Sequence, residues 1–387
     1  MMRAWSWMSS EVNRGEVSNR MRSRRYAGYT TEVAHQCLNF PDFASKPMKI
    51  HFRLLAAVGL CLASTAFAVQ PAVAPLTLVS STPLPNVTGG DFDHFAVDLS
   101  RSRLYVSAEK YGSIEVFSLP DGVHISSIRT VAKAPHKILL ADGGKELLIA
   151  DAGDADVKVV DTTRFKVDET IALAPQPDSG IEDSKSGIFY IGNGGVQSHQ
   201  DHAYISLISL SNYSVIGRID VPAGQLKAMA IDHATHRLFV NMRDKNEVGV
   251  IDLRTRKLTA VWHVPGPSRN SAMAFDSKSG RLFIGARDPG KLYVMNASDG
   301  SIIQSLDIVN TSDDMAVDAV HHHLYITGST GLDVVDPVGA DQYAVKQHVD
   351  TFGGKTSVYI PSLQRFYVVH TKGRDAAMAG LQIFSVR

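Results

Sequence analysis

Cysteine and tryptophan are scarce in this chain of 387 residues: there are two of the first and three of the second. Both cysteines, Cys37 and Cys61, and two of the tryptophans, Trp5 and Trp7, fall within the first 68 residues. The remainder therefore has no disulfide framework and no Cys-x-x-Cys-His haem attachment site. With Trp262 alone, it also lacks the aromatic surface that a stacked quinone cofactor would use. A Gly-x-Ser-x-Gly elbow and a phosphate-binding P-loop are both missing, which argues against serine-nucleophile and nucleotide chemistry. No apolar run is long enough for a comfortable membrane span. Net charge is absent too, with 39 Lys/Arg against 39 Asp/Glu.

The longest apolar run, Leu54 to Ala63, has a different meaning. It follows a basic start (Lys49, His51, Arg53) and precedes Ala66-Phe67-Ala68. This order matches a secretory signal with cleavage after Ala68. Residues 48–68 are thus expected to be a signal peptide, with Met48 as the true start and 1–47 as an upstream extension foreign to the fold. A genuine Arg-rich extension (Arg20, Arg22, Arg24, Arg25) is the alternative. Nine of the 39 basic and four of the 39 acidic residues lie in 1–68, so residues 69–387 carry a net charge of −5. That balance excludes a nucleic-acid partner, which needs clustered positive charge. The expected location is periplasmic or secreted.

Residues 69–387 are repetitive. Leu226 to Trp262 reads as four short strands: Leu226–Ile231, Arg237–Asn241, Glu247–Asp252 and Leu258–Trp262, separated by polar turns. The apolar residue that opens the second strand recurs at Leu104, Leu147, Phe189, Leu238, Leu282, Leu324 and Phe366, with intervals of 43, 42, 49, 44, 42 and 42. A period near 42 with four strands per unit predicts an all-β, seven-bladed β-propeller. The seventh unit runs out after its third strand. Leu76 to Leu84 stands unattached before the first. It is expected to supply the missing outer strand and close the ring, removing two exposed edges.

Phe239-Val240-Asn241 followed by Val248-Gly249-Val250-Ile251-Asp252 resembles the repeat of the YVTN-repeat propeller family (YncE-like). Tyr105-Val106-Ser107, Tyr190-Ile191-Gly192 and Tyr325-Ile326-Thr327 are looser copies, and no unit has the full four-letter form. The resemblance covers Leu76 to Arg387. It implies an extracytoplasmic propeller of varied function and carries over no catalytic residue.

In a propeller, chemistry sits at the channel mouth, where loops lead into the first strand and out of the second. Alignment on the landmark positions places Asp93, His136, Asp178, Lys227, Ser271, Asp313 and Lys355 there, with His94, Arg269, Asn270 and Asp314 beside them. The loops leaving the second strand offer Glu109, Asp151, Asn193, Arg243, Arg287 and His370. Acids and imidazoles gather in blades one and two, and Lys227, Arg243, Arg269 and Arg287 in blades four and five. Lys227, Arg243, Arg269, Arg287, Asp151, Asp178, Asp313 and Lys355 are therefore candidate ligand contacts. They suit a small polar ligand with an anionic group.

The first functional reading is a monomeric binding module for such a ligand or for a protein. The alternative is a hydrolase of lactonase type, with Asp93, His94, Glu109 and His136 as candidate catalytic groups. An accessory role to metal or redox enzymes is a third. No cofactor and no metal ligand set is assigned, and a divalent metal is left open. His199-Gln200-Asp201-His202, in the long Gly192–His202 loop of blade three, has metal-ligand residue types, but one loop rarely supplies a closed site. That loop is also a candidate lid. His321-His322-His323 is expected in a surface turn on the opposite face from the mouth.

Overall fold

The structure is a computed structural model that describes residues 74–200, 202–373 and 376–387. The expected signal peptide and upstream extension lie outside the described residues.

The 42-residue period folds as seven four-stranded antiparallel sheets in a ring. Blade four runs through Leu226–Asp232, Arg237–Met242, Glu247–Asp252 and Lys257–His263, within a residue or so of the strands read from the pattern. The innermost strand of each blade lines the central channel and the fourth lies at the rim. The third strands are buried on both faces, as in Glu247–Asp252, which explains their continuous apolar character. The rim strands alternate, as Lys257–His263 does, because one face meets solvent.

Blades pack face to face through the second strand. The landmark Leu/Phe side chains are all essentially inaccessible. The residue after each is large: Tyr105, Tyr190, Phe239, Tyr325 and Tyr367 are fully buried at this position. Two positions further, blade four carries Asn241, which is fully buried. Its amide donates to the Ser271 and Ala272 carbonyls of blade five at 2.9 and 3.0 Å, and its oxygen accepts from Asn270 at 2.6 Å. In blade six, Thr327 plays the corresponding part, donating to the Lys355 carbonyl of blade seven at 2.9 Å. The recurring motif thus staples neighbouring blades.

Leu76–Leu84 completes blade seven by pairing antiparallel with Ala379–Val386. Its ends are anchored by Leu76 and Leu84, both buried, while the residues between face outward. The closing strand reaches the preceding blade as well: Gln347 exchanges two 2.8 Å hydrogen bonds with the Leu76 backbone.

One irregularity positions the site. The innermost strands of blades one, two and four each carry a bulge at the mouth. Asp93 and His94 together oppose the single residue Ser107, and His136 and Lys137 oppose Ala150. Likewise Lys227 and Ala228 oppose Asn241. Bulges free a backbone donor and re-aim side chains. The freed N–H groups bind the next blade: Lys137 donates to the Asp178 carbonyl and Ala228 to the Ser271 carbonyl, both at 3.2 Å.

On the opposite face, five blades turn from first to second strand around an Asp: Asp98, Asp183, Asp232 and Asp318, all buried, and the half-buried Asp276 accept N–H bonds from the turn. The three-histidine run lies here, as expected. His321 caps Asp318 at 2.7 Å, and its ring stacks on His323, which pairs with Asp336. These are turn-fixing contacts.

Candidate functional site

The mouth residues converge on a cavity of about 180 Å³ at one end of the channel. Asp93, His136, Asp178, Lys227, Ser271, Asp313 and Lys355 all line it, one from each blade, joined by Asp91, His94, Glu109, Arg243, Arg287 and Asp314. Phe92 and Ala228 are the apolar side chains among the lining residues.

Most of the charges pair across blade boundaries. His136 of blade two donates from Nδ1 to Asp93 of blade one at 2.6 Å. The same imidazole stands 3.8 Å from both Glu109 and Asp178. Lys227 of blade four donates to Asp178 of blade three. Asp313 of blade six accepts from Arg287 of blade five at 2.7 Å and from Lys355 of blade seven at 2.6 Å. Lys355 also reaches Asp91 at 2.9 Å. The ion pairs therefore follow the ring of blades except between blades four and five, where Arg243 meets Ser271.

These contacts set the protonation states. Burial opposes charge on Asp93, but His94, His136 and Lys227 outweigh it and hold the carboxyl far below its usual range. Burial likewise works against the His136 imidazolium. The hydrogen bond and charge of Asp93, with Asp178 and Glu109, raise it from 6.5 to about 9. His94 is pushed down to about 4, mainly by burial, so it is neutral. Lys355 is raised because Asp313 and Asp91 together overcome its desolvation. One layer deeper, burial drives Asp314 up to about 7, against a 2.8 Å hydrogen bond from the Ser357 N–H. Beside it, burial lowers Lys137.

Two of the cavity's charges lack a close ionic partner. Arg243 is only 8% exposed, and among the described residues it makes no ion pair. One Nη donates to Ser271 at 2.7 Å, the other to Gln225 at 3.4 Å, and Nε has no partner. A guanidinium has five N–H donors, so capacity is left over. Burial and the neighbouring Arg287 push it down to about 10, so it remains a cation at neutral pH. Glu109 is the other. Among the described residues its carboxylate accepts no hydrogen bond, and burial raises its pKa.

Some of the residues singled out from the sequence lie elsewhere. Asp151 is fully buried and holds the Lys133, Ala134 and Gly153 N–H groups. It is the last residue of its second strand, Glu146–Asp151, whereas Glu109, Arg243 and Arg287 stand one step later relative to the landmark. Strand side chains alternate in direction, so a one-residue difference turns Asp151 away from the channel. Asn193 and His370 share its parity and also miss the cavity, Asn193 donating to Ser206 at 2.8 Å. Arg269 is exposed and outside the cavity, though its charge helps depress Arg243. Of the polar cavity residues, Asp91 and Ser179 are not among those singled out from the sequence. Ser179 follows Asp178 as Asp314 follows Asp313, and that adjacency is the available signal.

The long segment of blade three begins later than the sequence suggested, because Ile188–Gly194 is strand. Beyond it Val196 donates to the Gly224 carbonyl at 2.9 Å. Gly195, at φ +86°, lies so close to Gly224 that a Cβ would clash. The segment is thus pinned to the loop before blade four. His202 packs edge-on against Tyr204, and Asp201 lies outside the described residues.

The ligating atoms of Asp93, His136 and Asp178 lie within 4.8 Å of one another. Those atoms already serve the imidazolium proton and the Lys227 ammonium. A divalent cation would enter only by displacing both. As for acid–base chemistry, Asp93 is held too weakly basic, and His136 too firmly protonated, for either to accept a proton at neutral pH. Glu109 and Asp314 retain more basicity.

Comparison with known proteins bears on the fold alone. No protein-family model matches the chain, and no curated protein sequence matches it. A chain in the crystal structure of a mitotic checkpoint complex is similar in fold: TM-score 0.63, covering 87% of this chain and 99% of its own length, at 14% identity. At that identity the likeness is one of architecture. β-Propellers commonly serve as binding or scaffold modules, and function must be argued from the site.

Proposed function

We propose that this chain is an exported propeller of the YVTN-repeat kind whose channel mouth binds a small polar ligand through an anionic group. The observation that carries this reading is Arg243. Burying a guanidinium without a counter-charge is costly, and this one lines a polar cavity with hydrogen-bonding capacity left over. A carboxylate or phosphate oxygen would satisfy them with charge-assisted hydrogen bonds. Ser271 supports the geometry, accepting from Arg243 and donating to Asp313 at 3.1 Å. Lys227 and Arg287 flank the position but are engaged by Asp178 and Asp313. The Ala66-Phe67-Ala68 pattern supports export, and the stapling positions Asn241 and Thr327 support the YVTN-like repeat.

The test is titration calorimetry at low salt with acetate, propionate and inorganic phosphate, on the wild type and Arg243→Gln. A hydrogen bond to a charged group is worth about 1.5–3 kcal/mol, so the variant should bind about ten- to a hundredfold more weakly. Equal affinity in the variant, or no binding of any anion by a folded wild type, would overturn the reading.

A further inference from the structure

We infer that the ligand is a small zwitterion, an amine and a carboxylate on one short carbon chain, with its carboxylate on Arg243 and its ammonium on Glu109. The inference rests on the anion-binding reading and adds the other end of the molecule. Its basis is the division of charge around the cavity. Blades one to three and the segment leading into them contribute four carboxylates, Asp91, Asp93, Glu109 and Asp178, against one imidazolium, His136. Blades four to seven contribute four cations, Lys227, Arg243, Arg287 and Lys355, against Asp313 and Asp314. The mouth is close to neutral as a whole and strongly dipolar.

A simple anion would be drawn to Arg243 and repelled by the acidic half. A simple cation would meet the reverse. A zwitterion aligned with the dipole satisfies both halves and leaves the total charge unchanged. The two loosely held groups, Glu109 at 3.8 Å from His136 and Arg243 with no ion pair among the described residues, are of opposite sign and belong to blades one and four, as far apart as a ring of seven allows. Each has unused hydrogen-bonding capacity, Glu109 as acceptor and Arg243 as donor. The cavity of about 180 Å³ is smaller than the roughly 300–1,000 Å³ of most ligand pockets. That favours a short chain, and the scarcity of apolar lining disfavours a bulky hydrophobic side chain.

The experiment is calorimetry with four probes, propionate, propylamine, 3-aminopropionate and 4-aminobutyrate, on wild type, Glu109→Gln, Glu109→Asp and Arg243→Gln. Circular dichroism checks the fold of each protein. At least one amine–carboxylate should bind tenfold or more tightly than propionate. Glu109→Gln should abolish that preference while leaving propionate binding in place. Glu109→Asp, which keeps the charge, should retain part of it. Arg243→Gln should weaken both classes. If propionate binds as tightly as both amine–carboxylates and Glu109→Gln changes nothing, the zwitterion is refuted and the anion reading stands. If neither propionate nor an amine–carboxylate binds, both fall together.

Discussion

The His136–Asp93 contact makes stability depend on pH in a direction that can be worked out in advance. In the folded chain the imidazole is raised from 6.5 to about 9. Unfolded, it titrates near 6.5. A group raised by folding contributes stability that is fully present below its unfolded pKa and is lost as pH climbs through its folded one. The span from 6.5 to about 9, at roughly 1.4 kcal/mol per pH unit, amounts to about 3 kcal/mol. His136 is 13% exposed, so solvent screening removes little of this. Other groups titrate nearby: Asp314 at about 7 also loses stability as pH rises, and His94 at about 4 gains it. The clean quantity is therefore the difference between wild type and His136→Gln. Urea unfolding followed by far-UV circular dichroism, from pH 6 to pH 10 at constant ionic strength, measures it. The wild-type advantage should be greatest at pH 6 and should fall by about 3 kcal/mol by pH 10. A difference that stays flat across this window would show that His136 carries no proton there, and the account of the ion-pair ring would fail with it.

Two further outcomes follow from the packing. Asn241→Ala removes the staple between blades four and five and strands the buried Ala272 carbonyl, so unfolding in urea should show a loss of about 2–3 kcal/mol; a change below a few tenths would contradict the stapling role. Deleting residues 74–84 exposes the edge of Ala379–Val386 and removes the buried Leu76 and Leu84, each worth about 1.5–3 kcal/mol. The shortened chain should melt lower and self-associate on gel filtration, whereas an unchanged melting point with a monomeric profile would show that ring closure contributes little.

The fold was legible because a propeller repeats one physical solution seven times. A single apolar landmark, Leu104 and its six successors, located every blade, and the strand that did not belong, Leu76–Leu84, had one vacant place to go. The same landmark carried seven residues to the mouth, since a fixed offset on the innermost strand fixes depth in the channel. What failed was finer than one residue. Asp151 was grouped with Glu109 and Arg243 although it differs from them in parity. Which charges cancel was also hidden: Lys227 and Arg287 look like Arg243 in the sequence, and only the positions of Asp178 and Asp313 distinguish them.

The closing strand has a further consequence. Leu76 lies opposite Val386, and the N–H of Arg387 donates to the Pro75 carbonyl at 3.0 Å, so the fold starts and finishes at one point. A ring joined in this way has no preferred origin. A short linker between the two ends, with new termini cut between blades on the face away from the mouth, should give a permuted chain with the same seven sheets. Pulling on Pro75 and Arg387 would load the pair from one end and open it rung by rung, as a zip rather than by sliding. The seam is thus the strand pair at which this ring gives way first under force.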